Sequence, residues 1–396
     1  MSILGSTRKI AIAQAGNAVI TFAGTVLFAR ALGPDEIGIF FLFQAMVGIL
    51  QIPSDLGIRG AVEKRISEGN DSSRTFFTGF FLKLPPLIII SSLILVFSNE
   101  VNNYLGENLS TLLVLILSVQ MVGQLLIKVL NGNQRVGSTA IPLFGQKLVW
   151  LIGSYVLYTL GYGIKSLVYG LVIGYAFLLI VALGRVQINL RSPSLDNARS
   201  LISYAKFNAV SSLSWQFYSW MDVAVIGYFL TQTEVGAYEA AWRVSGLVML
   251  VTTAISKSIF PEISQTHSKG NLTRVQAIVQ RSVTPSLYFV IPSVVGVLIL
   301  SEQILEIVYG SEYTIASAVL TIFVIEKVVQ AVYIVFRRSL EGMDRPRLVA
   351  VSTVLTLTTN LMLNVLLVPM IGIIGAAFAT FLSMVVALVF QAYYLN

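Results

Sequence analysis

The sequence predicts an all-α protein that crosses a membrane about twelve times. Three observations carry this: the ratio of apolar to charged residues, the lengths of the apolar runs, and the sidedness of the basic residues. Of 396 residues, 56% are hydrophobic and 11% are charged, whereas soluble domains carry about 25% charged residues. The mean hydropathy is +0.81. A soluble core cannot bury so much apolar side chain, and lipid can.

A crossing helix needs about 20 mostly apolar residues. Breaks at Gly, Pro and charge clusters place six spans at 10–30, 36–57, 76–97, 109–130, 139–160 and 164–184. Six more fall at 204–230, 235–258, 283–301, 316–337, 346–368 and 372–394. The first run has a basic leader, Arg8 and Lys9, and an Ala29-Arg30-Ala31 that mimics a signal-peptidase site. At roughly twenty residues it exceeds a cleaved signal core, so it reads as a retained first span.

The charges then test the count. With the N-terminus in the cytoplasm, every basic residue except Arg30, Lys165, Arg243 and Lys327 falls on the cytoplasmic side. The external turns are acidic instead, with Asp35, Glu36, Glu100, Glu107, Glu234, Glu302, Glu306 and Glu312. This is the positive-inside bias, and one missing or invented span would scramble it. The net charge of +7 is therefore mainly a topology signal, and no nucleic-acid partner is expected. Segments 59–74, 191–206 and 261–281 mix basic and apolar residues; they read either as helices lying on anionic headgroups or as solvated loops. There is no cysteine, hence no disulfide or thiolate metal site, and the lone His267 has no nearby ligand set.

Leu32–Phe40 (LGPDEIGIF) aligns with Leu230–Tyr238 (LTQTEVGAY), matching Leu, Glu and Gly and pairing Phe40 with Tyr238. The offset is half the chain. A fainter echo pairs GYGIKSLVYGLVIG with IGIIGAAFATFLS at the starts of the sixth and twelfth spans. An even number of spans per half gives both halves the same orientation, as in parallel-repeat transporters. The expected division is a six-helix lobe at 1–190, a cytoplasmic linker at 191–203 and a second six-helix lobe at 204–396, related by a pseudo-two-fold axis.

These phrases, together with SDLGIRGAVEKRISEG, DVAVIGYFLTQTEVGAYEAAWRV, IFPEIS, ILEIVYGSEY and EGMDRPR, resemble those of polysaccharide-unit flippases. That family lies within the multidrug/oligosaccharidyl-lipid/polysaccharide exporter superfamily. The resemblance runs over nearly the whole chain and implies two six-helix lobes around a central cavity that opens alternately to each side. It further implies a plasma-membrane protein with both termini cytoplasmic. It would move a lipid-linked oligosaccharide, on polyprenyl phosphate or diphosphate, to the outer leaflet. Such a cargo demands cations for phosphate and hydrogen-bonding groups for sugar.

Asp222, Arg243, Glu326 and Lys327 stand out as ionisable residues within the spans. A centrally placed charge costs about 2.5–3.5 kcal/mol. Asp222 and Arg243 lie on adjacent antiparallel helices, each roughly 12 Å from the external end by helix rise. They read either as a pair that holds two helices together or as a phosphate ligand, Arg243, held by Asp222 as ion-coupling group. Lys327 is the deepest cation, with Glu326 either its partner or directed at another helix. Arg30, on the side the charge rule disfavours, reads as a snorkelling residue or as part of an outward-facing site. Arg59 and Asp55, after Pro53, read as the cytoplasmic mouth or as ordinary loop charge. Gln14, Asn17, Gln44, Gln51, Gln120 and Gln124 place amides at membrane depth, for interhelical contact or for sugar. Gln120 and Gln124 share one helix face. Pro85–Pro86, Pro285 and Pro292 mark kinks.

The candidate site is therefore Arg30, Arg59, Arg243, Lys327, Gln44, Gln120 and Gln124 for substrate, with Asp222, Glu326 and Asp55 for a coupling H+ or Na+. Catalytic residues, a metal centre and other cofactors are not expected. Membrane lipids and glycan-assembly proteins are the further partners. The alternatives are a drug/cation antiporter of the same superfamily, which would favour acids without cations, and a membrane-embedded glycan transferase or polymerase.

Overall fold

The computed structural model describes residues 3–395, and all their regular structure is helical. The helices are α1 (Ile3–Asp55), α2 (Ile58–Ser67), α3 (Ser72–Val96), α4 (Ser98–Leu105), α5 (Ser110–Gly132), α6 (Ala140–Thr159) and α7 (Lys165–Leu183). After these come α8 (Leu195–Phe229), α9 (Gln232–Leu247), α10 (Leu250–Ser268), α11 (Leu272–Leu287), α12 (Val290–Val308), α13 (Ser317–Gly342) and α14 (Pro346–Leu395). The all-α, multi-pass class read from the sequence is the observed one. The chain divides into two compact units, Met1–Trp220 and Met221–Asn396.

Two of the fourteen helices are hairpins. In α1 the backbone leaves helical geometry at Gly33, with φ of 79°, a left-handed value that only glycine adopts at little cost. Pro34 follows, its fixed φ suited to the first position of the second arm, and Asp35 and Glu36 meet that arm's positive end. Phe28 and Phe40, on opposite arms, both pack against Trp150, so the chain doubles back. In α14 the break is at Ile371–Gly372, with Gly372 at φ 64°, just after Pro369. Asn360 and Gln391 reach across to Thr380 and Ser352, each at 3.2 Å. Among the described residues eight helices are long and apolar enough to cross a membrane, α1 and α14 among them with two arms each, and α8 and α9–α10 cover the two remaining expected spans.

In the first unit α2 buries Ile58, Ala61, Val62 and Ile66 against Leu125, Leu130, Leu178 and Leu201. The apolar face of this part of 59–74 thus turns to the protein core, and neither the headgroup nor the solvated-loop expectation fits it. A Cβ on Gly132 would come within 2.8 Å of the Glu63 carbonyl oxygen, which fixes how closely α5 approaches α2. Of the expected linker, residues 191–194 are non-helical, while Leu195 already opens α8. The Asn189 and Ser194 amides donate to Ser73 Oγ and Thr78 Oγ1 on α3.

In the second unit, α9 starts with a capping box between Thr231 and Glu234, satisfying amides that the helix itself leaves unpaired. Segment 261–281 is helical on both sides of residues 269–271, and Ile263, Val275 and Ile278 pack with Val335 and Leu340 of α13. Here too the apolar residues find protein. The α11–α12 break at Tyr288–Phe289 falls three residues past Pro285, where a backbone donor is missing. Helix α3, by contrast, continues through Pro85 and Pro86.

Candidate functional site

In the first unit, the second arm of α1 ends at Asp55, one turn beyond Gln51. Pro53 does not break it. The reversal is made by Leu56 and Gly57, at φ 45° and 80°, and it swings α2 round so that Arg59 faces back. The Asp55 carboxylate is 6% exposed. Its Oδ1 lies 2.9 Å from Arg59 Nε and accepts a hydrogen bond from Lys83 Nζ at 2.6 Å. One acid therefore holds two cations. The Lys83 side chain is 3% exposed, whereas Arg59 keeps 19% of its side chain accessible. Lys83, counted from sequence among the orienting charges, is thus a buried partner inside α3.

The amides gather beside this cluster. Gln51 donates to Gln124 at 3.4 Å, and Gln120 donates to the Tyr175 hydroxyl at 3.0 Å. The side-chain oxygen of Gln120 is buried with no hydrogen-bond partner. Gln44 is half-buried two turns before Gln51 and Asn17 is half-buried on the first arm, while the Gln14 side chain lies outside the described residues. Arg30 is exposed near the Gly33 turn, about 30 Å along the second arm from Asp55 by helix rise. The structure does not bring it to Arg59.

In the second unit, Asp222 sits on α8 among neutral donors. Its Oδ2 accepts from Tyr238 and from Thr380, each at 2.7 Å, and its Oδ1 accepts from Asn364 at 2.8 Å. The amide nitrogen of Asn360, turned toward Asp222, adds a bond of 3.0 Å. Asn360, Asn364 and Thr380 are almost wholly buried, and the Asn364 side-chain oxygen has no hydrogen-bond partner.

The Asp222–Arg243 pair expected from equal depth does not form. Arg243 Nε lies instead 3.2 Å from Glu239 Oε2, one turn earlier on α9. The reason is local: residues four apart share a helix face, while Tyr238 points about 100° away and takes Asp222. Glu239 is 4% exposed, and Arg243 keeps 20% of its side chain accessible. On α13, Glu326 proves to be the partner of Lys327, at 2.7 Å. Lys327 Nζ also lies 4.1 Å from the Trp242 ring centroid, a cation–π contact. Phe323 packs edge-on against both Trp242 and Tyr238. At 2% exposure, Lys327 is enclosed and offers no open surface for the direct substrate contact expected of it, whereas Arg243 is partly accessible.

Chemically, the second unit holds an arginine ion-paired with Glu239 and partly accessible, and one carboxylate that meets hydroxyl and amide donors. The described residues hold no group of three or more His, Cys, Asp or Glu suited to a metal ion.

Residues 27–318 match the family of polysaccharide biosynthesis proteins. The chain belongs to that family. A probable low-salt glycan biosynthesis flippase, Agl15 of Haloferax volcanii, is 44% identical over the whole of this chain and 84% of its own length. A probable flippase of the same organism, AglR, is 33% identical over 95% of this chain and 80% of its own. Among solved structures, a lipid II flippase MurJ in an inward closed conformation superposes with a TM-score of 0.82 at 16% identity, covering 99% of this chain and 87% of that one. An inward-facing multidrug MATE transporter gives 0.74 at 13%, covering 96% and 94%. These two likenesses show the fold of this polysaccharide biosynthesis protein. Its sequence had carried a signal for Glu239, four residues before Arg243. Nothing in it singled out Lys83, Asn360, Asn364 or Thr380, whose roles arise only when helices pack.

Proposed function

We propose that this protein is a flippase, not an enzyme, which carries a lipid-linked oligosaccharide on polyprenyl phosphate or diphosphate from the cytoplasmic to the outer leaflet of the plasma membrane. Both termini are cytoplasmic, and a coupling H+ or Na+ acts at Asp222. The observation that carries the reading is the state of Arg59 and Arg243. Each is fixed by a carboxylate four residues away, yet each leaves about a fifth of its side chain open (19% and 20%). A guanidinium positioned by a carboxylate, with part of its side chain accessible, suits a phosphate, whose geometry matches its fork of donors. The half-buried amides of Gln44 and Gln124 suit sugar hydroxyls, and Gln120, on the same helix face as Gln124, is enclosed.

The polyprenyl tail stays in lipid throughout, so the protein has to shelter only the charged and sugar portions. Similarity to proteins named as probable flippases, 44% and 33% identical over nearly all of this chain, supports this over a drug/cation antiporter, and so does the presence of cations among the buried groups. Asp222 is the coupling residue because Asp55 and Glu326 already face lysines, whereas the Asp222 charge meets only neutral donors.

The test is reconstitution in proteoliposomes with a fluorescent lipid-linked saccharide and an external quencher that reads the leaflet. The wild type is expected to equalise the label across the bilayer, and the Arg243→Ala protein to leave it in place. Equal rates from both proteins would remove Arg243 from the site. Export of a cationic drug, with no movement of the saccharide, would hand the function to the antiporter reading.

A further inference from the structure

We propose that Glu239 couples the two ligands of the second unit, so that phosphate at Arg243 and a monovalent cation at Asp222 bind with positive cooperativity. This rests on the flippase reading and adds to it the sign of the coupling and the residue that transmits it. Glu239 lies between the sites in a specific sense. It is ion-paired with Arg243 at 3.2 Å, the residue before it donates to Asp222 at 2.7 Å, and its own carboxylate is within electrostatic reach of Asp222.

A phosphate arriving at Arg243 competes with Glu239 for the guanidinium. If it wins, Glu239 becomes a buried carboxylate without its counterion, within electrostatic reach of the Asp222 carboxylate. Uncompensated like charges there are costly. A cation at Asp222 removes that penalty. In the reverse direction, the same cation draws Glu239 away and loosens its hold on Arg243.

The remaining polar groups around Glu239 agree with this exchange. The Tyr309 hydroxyl, at the end of α12, is 1% exposed and has no hydrogen-bond partner. It lies within electrostatic reach of both Glu239 and Arg243, and is a donor ready for the displaced carboxylate. From α13, Glu326 is already matched by Lys327, so the surplus negative charge falls on Asp222. The buried oxygen of Asn364 supplies a further ligand for a hard cation such as Na+.

The test uses the full chain in detergent, farnesyl diphosphate as the phosphate probe and Trp242 fluorescence as the readout, at low and high NaCl with choline chloride holding ionic strength constant. Allosteric couplings commonly span about 5–150-fold, and Na+ is expected to tighten wild-type binding by about tenfold. By reciprocity the probe must tighten Na+ by the same factor. Glu239→Gln is expected to bind the probe with less than about a twofold Na+ effect. No Na+ effect in the wild type, weaker binding with Na+, or a wild-type Na+ effect in Glu239→Gln each overturns the proposal. The wild-type pair of titrations decides the matter even where the variant does not fold. Arg243→Ala separates the two levels: probe binding that survives it removes the phosphate site itself. Lost binding there, with coupling intact in Glu239→Gln, removes only the linkage.

Discussion

The two units solve one problem with opposite signs. Each sets an arginine four residues after a carboxylate and encloses a lysine: Arg59 with Asp55 and Lys83 in the first, Arg243 with Glu239 and Lys327 in the second. In the first unit a single acid faces two bases, leaving one positive charge over. In the second, Glu239 and Glu326 match the two bases, and Asp222 remains with only neutral donors. A surplus cation attracts an anion, and a surplus carboxylate attracts a cation. The lesson is that the same arginine-and-acid spacing leaves a different charge balance in each unit, positive around Asp55 and negative around Asp222.

Arg243→Ala breaks this comparison most severely. Hydrogen bonds to charged groups contribute about 1.5–3 kcal/mol, so transport is expected to fall about a hundredfold, read as the initial rate of leaflet exchange. Arg59→Ala should cost less, about tenfold, because Lys83 still leaves the first unit cationic. Equal losses from the two would mean that Lys83 does not compensate for Arg59, and that the surplus positive charge of the first unit has no bearing on transport.

Next in size are the two aspartates, which look alike in sequence. Asp55→Asn leaves Lys83 buried without a counterion, and breaking a buried pair costs about 3–5 kcal/mol. A clear drop in the thermal midpoint is expected, largely restored by adding Lys83→Met. Asp222→Asn puts an amide among amides and hydroxyls and should change stability by less than about 1 kcal/mol, while transport loses its dependence on the coupling ion. Should Asp222→Asn prove the less stable of the two, its charge would be structural.

Much of the fold was legible because the membrane imposes length and sidedness. The hairpin turns at Gly33 and Gly372, the capping of α9 and the twelve expected spans all follow from apolar runs and their punctuation. The site was less legible. Arg243 and Asp222 stood out as charges in apolar runs, but equal depth does not establish contact, and Glu239 at helical spacing was the closer acid. Lys83 was hidden by proximity to a loop rich in basic residues, so its burial appeared only once α3 was packed on α1. The segments 59–74 and 261–281 taught the same point from the other side: an amphipathic stretch says that something apolar covers it, and not whether that is lipid or protein.

The smallest expected effect tests the repeat itself. In the first unit a Cβ on Gly163, at φ 51°, would lie 3.6 Å from Glu36 Oε2; in the second a Cβ on Gly372, at φ 64°, would lie 3.7 Å from Glu234 Oε1. The acid of each repeated phrase thus meets the left-handed glycine that opens its unit's last span, joining two echoes that sequence could align only separately. Space is adequate in both places, so the cost of alanine is backbone strain alone, about 1–3 kcal/mol for a conformation that L residues rarely adopt. Gly163→Ala and Gly372→Ala are therefore expected to lower the thermal midpoint by similar small amounts, with the phosphate affinity unchanged in each. A large loss at one glycine beside none at the other would show that the two turns have diverged in role, and that the likeness of the halves stops at their helices.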